Sequence, residues 1–183
     1  MIKRLLLSLT LLAPLALWAV APGAAAQEDY VEGKDYELIT PAVRTADPDK
    51  IEVAEFFWYG CGHCYTFEPV LSQWKKTLPE DVDFQGSPAI WNAKMEIHAR
   101  AFYTARLLGA LDTLHPVIFQ AMNVDRKRLS SEEEIKELFT ANGVAAEDFD
   151  KAFNSFGVTS QVRQANSRAR AAKITGTPAL MVN

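Results

Sequence analysis

Nine residues, Ile51 to Tyr59, constrain this chain more than any others. The segment Ile-Glu-Val-Ala-Glu-Phe-Phe-Trp-Tyr is β-branched and aromatic, and its second half is nearly continuously apolar. A strand with one wet face alternates apolar and polar residues, whereas an unbroken apolar run suits a strand covered on both faces. Such a strand belongs at the centre of a sheet flanked by helices. The chain can meet that demand: its 183 residues are 49% hydrophobic and 23% charged, which excludes a disordered polymer. Nine Gly and nine Pro without periodicity exclude a collagen-like or low-complexity chain, and two cysteines cannot staple a disulfide-rich mini-protein. A formal charge of −4 and a pI near 5.4 provide no basic field for phosphates, so nucleic acid is not an expected partner.

The N-terminus reads as an export signal. Lys3 and Arg4 precede an apolar run from Leu5 to Val20, then Ala21-Pro22-Gly23-Ala24-Ala25-Ala26 and an abrupt change to Gln27-Glu28-Asp29. This pattern predicts a signal peptide over 1–26 with an A-x-A cleavage site. As a membrane anchor the run is too short against the ~20 apolar residues a spanning helix needs, and Pro14 interrupts it. The only cysteines are Cys61 and Cys64, so no lipoprotein cysteine follows the cleavage point. The mature chain is expected to be soluble, with 17 basic against 23 acidic residues, or −6. It would enter an oxidising compartment, where thiols pair unless prevented.

Along the mature chain, residues 28–34 form a polar lead-in, Tyr36 to Ile39 is a short strand candidate, and Arg44 to Lys50 is a loop. After the central strand and Gly60 to Cys64, Phe67, Val70, Leu71 and Trp74 recur at helical spacing before Pro79. Val82 to Gln85 alternates as a further strand, ending at Gly86-Ser87-Pro88. From Trp91 the period becomes helical. Ile97, Ala101, Ala105 and Leu108 mark a first helix, and Pro116 opens a second through Met122. Ser131 with Glu134 forms a capping box ahead of Ile135, Leu138 and Phe139, with Asn142-Gly143 as the stop. A short helix spans Glu147 to Phe153. Val158, Val162, Ala165, Ala169 and Ala172 then place a narrow small-residue stripe on a helix ended by Gly176, and Pro178 to Val182 begins a last strand. Strands separated by helices predict an α/β domain, and the helical block reads as an insertion over 91–157.

Cys61-Gly62-His63-Cys64 lies between the central strand and the first turn of the next helix. Free N–H groups and the dipole at a helix N-terminus favour a thiolate at Cys61; Cys64 sits one turn further in. His63, when protonated, adds a positive neighbour. Stabilising the thiolate stabilises the reduced form and makes the disulfide a stronger oxidant. The pair therefore reads as a thiol–disulfide catalyst. Three other readings compete. Zinc needs two ligands beyond the pair, with only His63, His98 and His115 to draw on. A c-type haem needs His directly after the second cysteine, where Tyr65 stands. An inert disulfide closing so small a ring would constrain little of the unfolded chain.

Glu55-Phe56-Phe57-Trp58-Tyr59-Gly60-Cys61-Gly62-His63-Cys64, together with Thr177-Pro178 after the last helix, resembles the DsbA group of bacterial periplasmic disulfide oxidoreductases. The resemblance covers about 28–183. It implies a thioredoxin-like fold, from 27–90 and 158–183, with an inserted all-helical domain over 91–157. It also implies Cys61 as the nucleophile that forms the mixed disulfide and Cys64 as its buried partner. His63 would tune the potential, and Pro178 would be a cis-proline facing the disulfide, with the Thr177 backbone pairing to substrate. Glu55 would be a buried acid that helps move protons; a solvent-facing strand position is the alternative. No cofactor or metal is implied. The implied partners are unfolded exported polypeptides with free thiols and, for reoxidation, a DsbB-type quinone-linked membrane protein. The protein is expected in the periplasm as a monomer. Two departures stand out: Gly62 replaces the Pro found before His in many members, and the family continues beyond Asn183 with a strand and a helix, so the chain reads as a fragment of a longer frame. A reductase or isomerase of the same fold and a non-catalytic peptide-binding chaperone are the rival functions.

Elsewhere, His98 and His115 read as structural. Phe56, Phe57, Trp58, Tyr59, Trp91, Phe102 and Tyr103 are assigned to the core, an apolar substrate patch being the alternative for those flanking Cys61, and Glu132 to Glu134 to a solvated helix start.

Overall fold

The computed structural model describes residues 30–183, so the expected signal peptide over 1–26 lies outside the described residues. The chain divides after Leu38. In the first unit, residues 30–38 hold a tight turn in which the Asp35 carboxylate accepts from the Val31 N–H at 2.9 Å. Here the expectation of a strand over Tyr36 to Ile39 fails. A single bridge, Glu32 with Tyr36, replaces it, because the turn consumes the local backbone groups and Tyr36 and Leu38 remain exposed.

The second unit contains β1 (Ile51–Phe57), α1 (Gly62–Lys75), β2 (Val82–Pro88), α2 (Ala93–Leu107), α3 (Leu111–Asn123), α4 (Glu132–Ala141), α5 (Ala146–Phe153), α6 (Phe156–Ala171) and β3 (Ala179–Val182). The sheet order is β2-β1-β3, with β2 parallel and β3 antiparallel to β1, so β1 is central as its composition requires. All of β1 after Ile51 is buried. Its alternation sends Ala54 and Phe56 toward Ala169, Ala172 and Met181, while Phe57 enters the larger core with Tyr59, Cys64, Phe102 and Phe119. Helix α6 and its C-cap serve both cores: Val158, Val162 and Ala165 join the helical one, Ala169 and the capping Ala172 the sheet one. Its small-residue stripe is the device that lets it lie close to both.

Several boundaries differ from the sequence reading. β2 runs three residues beyond Gln85, because the parallel register with β1 continues through Phe57 opposite Pro88. Helix α3 starts at Leu111, so Pro116 lies inside it. Burial of Leu114 and Ile118 on either side of Pro116 outweighs the one backbone bond that proline forfeits. Helix α6 ends at Ala171, ahead of Gly176; Lys173 takes the left-handed turn (φ 54°), with Ile174 N–H bonding Ala169 O and Lys173 N–H bonding Arg170 O. On α1 the buried face is rotated from the expected stripe, leaving Val70 exposed. Trp91, assigned to the core, is half exposed. The cap at Ser131 forms as expected, its side chain accepting from Glu134 N–H, while the Glu134 carboxylate reaches back to Ser130 N–H.

Candidate active site

β1 delivers the chain to the start of α1, and the turn is shaped by a close contact. Gly60 backs onto the Trp58 indole so tightly that an added Cβ would lie 2.4 Å from the ring. Trp58 is pinned in turn: its Nε1–H donates to His98 Nδ1 at 2.9 Å, and the Trp58 carbonyl accepts from Cys61 N–H at 2.9 Å. Burial holds His98 below the usual imidazole range, which suits an acceptor nitrogen, and its Nε2 meets Leu129 O at 2.9 Å. On the far side, Asn123 of α3 donates to the Tyr59 carbonyl at 2.8 Å.

Cys61 is the N-cap of α1, half-buried, and its sulfur accepts from Cys64 N–H at 3.4 Å. As a thiol it donates to Thr177 O at 3.3 Å. Burial opposes the thiolate, but the Thr177 side chain and the hydrogen bonds from Cys64 and His63 outweigh it, and the Cys61 thiol lies below its ordinary value. Cys64, fully buried in the core, is pushed up to about 12, first by burial and then by its contact with Cys61, although Trp58 and Thr177 act against this. Both cysteines are free. His63 is exposed between them. The Thr177–Pro178 peptide is cis and Thr177 touches Cys61, so a motif 113 residues away in sequence from Cys64 is brought to the cysteines.

On β1, Glu55 is 2% exposed, which rules out the solvent-facing alternative. Burial, and then the negative charge of Glu68, push its carboxyl up to about 7, with Lys75 acting in the opposite direction. It opens onto a cavity of about 350 Å³ lined also by Glu68, Ser72 and Lys75 of α1 and by Asp112 and His115 of α3. Sequence reasoning missed Glu68, Lys75 and the placement of His115. A partial signal existed: Glu68 follows Cys64 by four residues and Lys75 follows Glu68 by seven, so the three share one helix face.

Comparison with known proteins agrees with this geometry. A DSBA-like thioredoxin domain matches residues 78–183. The thiol:disulfide interchange protein DsbA of Pseudomonas aeruginosa is 37% identical over 176 residues, covering 96% of this chain and 83% of that protein. The protein of the same name from Azotobacter vinelandii is 41% identical over 151 residues, covering 82% and 71% respectively. The chain belongs to the DsbA family. The crystal structure of Pseudomonas aeruginosa DsbA superposes with a TM-score of 0.81 at 37% identity, covering 86% of this chain and 82% of that one. A DsbA of Neisseria meningitidis, at 26% identity, still reaches 0.74. The fold is therefore the DsbA-like thioredoxin fold expected from the sequence, and this family member is a thiol:disulfide oxidoreductase acting on protein thiols.

Proposed function

We propose that this member of the DsbA family works as an oxidase in the periplasm, with Cys61 and Cys64 as its redox-active pair. A thiolate of an exported, unfolded polypeptide attacks the Cys61 sulfur of the Cys61–Cys64 disulfide. The S–S bond breaks, its electron pair leaves on Cys64, and Cys64 takes a proton from the Glu55 carboxyl. The substrate's second thiol, as thiolate, then attacks its own sulfur in the mixed disulfide and expels Cys61 as thiolate. The substrate leaves with a disulfide, and the protein leaves as Cys61 thiolate and Cys64 thiol.

The observation that carries this reading is the asymmetry of the two sulfurs. Cys61 sits half-exposed at a helix N-terminus with its thiol below the ordinary value, while Cys64 is buried and held up at about 12. A stabilised Cys61 thiolate favours the reduced form and so makes the disulfide oxidising. His63, exposed beside Cys61, adds positive charge near the leaving thiolate when protonated. Thr177 and the cis Pro178 offer a backbone edge against Cys61 for an extended substrate segment. Residues 91–157 act as an insertion that covers the site, and the thioredoxin-like part comprises 27–90 and 158–183. Export follows the 1–26 signal, the working form is a monomer, and a DsbB-type quinone-linked membrane protein restores the disulfide.

Equilibration of the mature protein with graded glutathione buffers tests the direction. An oxidase has its disulfide reduced at potentials well above that of glutathione; a pair that stays oxidised well below it would identify a reductase or an inert disulfide. C61S separates chemistry from simple binding, because a chaperone would retain its ability to suppress aggregation as its main activity and an oxidase would lose substrate oxidation.

A further inference from the structure

The ring of His115 lies in an aromatic cage, with centroids of Phe57, Tyr59, Phe102 and Phe119 at 5.2, 5.3, 5.8 and 5.0 Å. Packing alone would be served by any aromatic residue, yet both ring nitrogens meet polar partners. Nδ1 is 2.8 Å from the Tyr59 hydroxyl, and Nε2 is 3.4 Å from Glu68 Oε2. A carboxylate only accepts, which assigns the proton to Nε2 and leaves Nδ1 to accept from Tyr59. Glu68 Oε2 is buried with no hydrogen bond of its own, so the His115 contact is what offsets its charge on that side. The other oxygen accepts from Ser72 at 3.0 Å and meets Lys75 at 3.5 Å. A chain of contacts thus runs from Tyr59, two residues before Cys61, through α3 to α1 one turn beyond Cys64. It borders the cavity that holds Glu55.

We propose that His115 is a positioning residue of the exchange reaction: by bridging Tyr59 and Glu68 it keeps a carboxylate charge beside Glu55 and so sets the pH range in which Glu55 can give its proton to Cys64. This rests on the proton-donor role of Glu55 proposed above. The groups facing the cavity are Glu55 from β1, Glu68 and Lys75 from α1, and Asp112 and His115 from α3; the parts of β2 and α2 that line it carry no ionisable group. Glu68 is held below the usual carboxylate range against its burial chiefly by His115, with help from Lys75 and Ser72. Without His115, Glu68 takes up a proton more readily, its charge on Glu55 weakens, and Glu55 loses its own proton at lower pH.

The test is the rate at which a small dithiol reduces the oxidised protein, divided by the thiolate fraction of that reductant and followed against pH. Wild type should lose rate as pH rises through about 7, where Glu55 ionises. E55Q should remove that inflection. H115F keeps the caged ring and removes both nitrogens; its inflection should move down by about one pH unit. H115Q, which can still donate to Glu68, should lie closer to wild type. E68Q should reproduce the H115F shift, and E68Q combined with H115F should shift no further. An H115F profile superimposed on wild type while E55Q is flat overturns the role of His115 and leaves that of Glu55 standing. An inflection that survives in E55Q overturns both. Should H115F not fold, H115Q and E68Q carry the test: an unmoved inflection in E68Q refutes the charge that His115 is proposed to maintain.

Discussion

Replacing Glu55 by Gln removes a single ionisable proton from the wall of the cavity between α1 and α3 while preserving its shape. The carboxyl is 2% exposed, one of its oxygens has no hydrogen-bond partner, and its midpoint is raised from 4.5 to about 7. A folded-state value above the unfolded one means that the native protein binds the extra proton. Stability from this group is therefore fully present below pH 4.5 and is lost as pH rises through about 7. At ~1.36 kcal/mol per pH unit of displacement, ionised Glu55 costs the native state about 3 kcal/mol at pH 8. E55Q lacks this pH-dependent cost. Urea unfolding of wild type and E55Q at pH 4 and pH 8 isolates it, because any fixed effect of the amide cancels in the difference. The gap between the variants should move by about 3 kcal/mol in favour of E55Q on going to pH 8. A gap that stays constant within about 0.5 kcal/mol would show that Glu55 is not ionising against its surroundings, and the acid role would fall with it.

Three further outcomes follow from the geometry. G60A should destabilise by ~1–3 kcal/mol in denaturant melts, because the new methyl meets the Trp58 ring, which His98 prevents from moving aside; wild-type stability would refute the contact. K173G should stabilise by about 1 kcal/mol, since the left-handed turn after α6 costs a side chain but not glycine; an unchanged midpoint would mean that Lys173 makes a compensating contact. Reduced C64A should accumulate a stable glutathione adduct on Cys61 when mixed with oxidised glutathione, whereas C61A should stay unmodified at neutral pH because Cys64 is buried with its thiol near 12; mass spectrometry that found equal labelling would contradict the assigned asymmetry.

Much of the fold is written in local pattern. The nearly continuous apolar second half of Ile51 to Tyr59 demanded cover on both faces, and the segment became the central strand. The Ser131 cap, the Val158 to Ala172 stripe and the Cys-x-x-Cys pair at a helix start all depend on residues within a few positions of one another, and all appear where expected. The failures were also local readings, overridden from elsewhere. Pro116 marks a helix start by propensity, but buried Leu114 and Ile118 carry α3 across it. Gly176 is the residue expected to end α6, yet the paired bonds of Lys173 and Ile174 end it earlier. Tyr36 to Ile39 has strand-like residues but, among the described residues, no partner strand.

The sequence by itself determined which residues hold sulfur, that they sit where a helix dipole meets them, and that Glu55 lies in an apolar strand. It contains no periodicity that relates Glu55, Glu68 and His115, which are 13 and 47 residues apart along the chain. Only the packing of α1 and α3 on one face of β1 put their charges around one cavity. The physical reason is one of range. Hydrogen-bond caps and amphipathic stripes are set by neighbours within a turn or two, whereas an ionisable group's behaviour depends on every charge within several ångströms, whichever part of the chain supplies it.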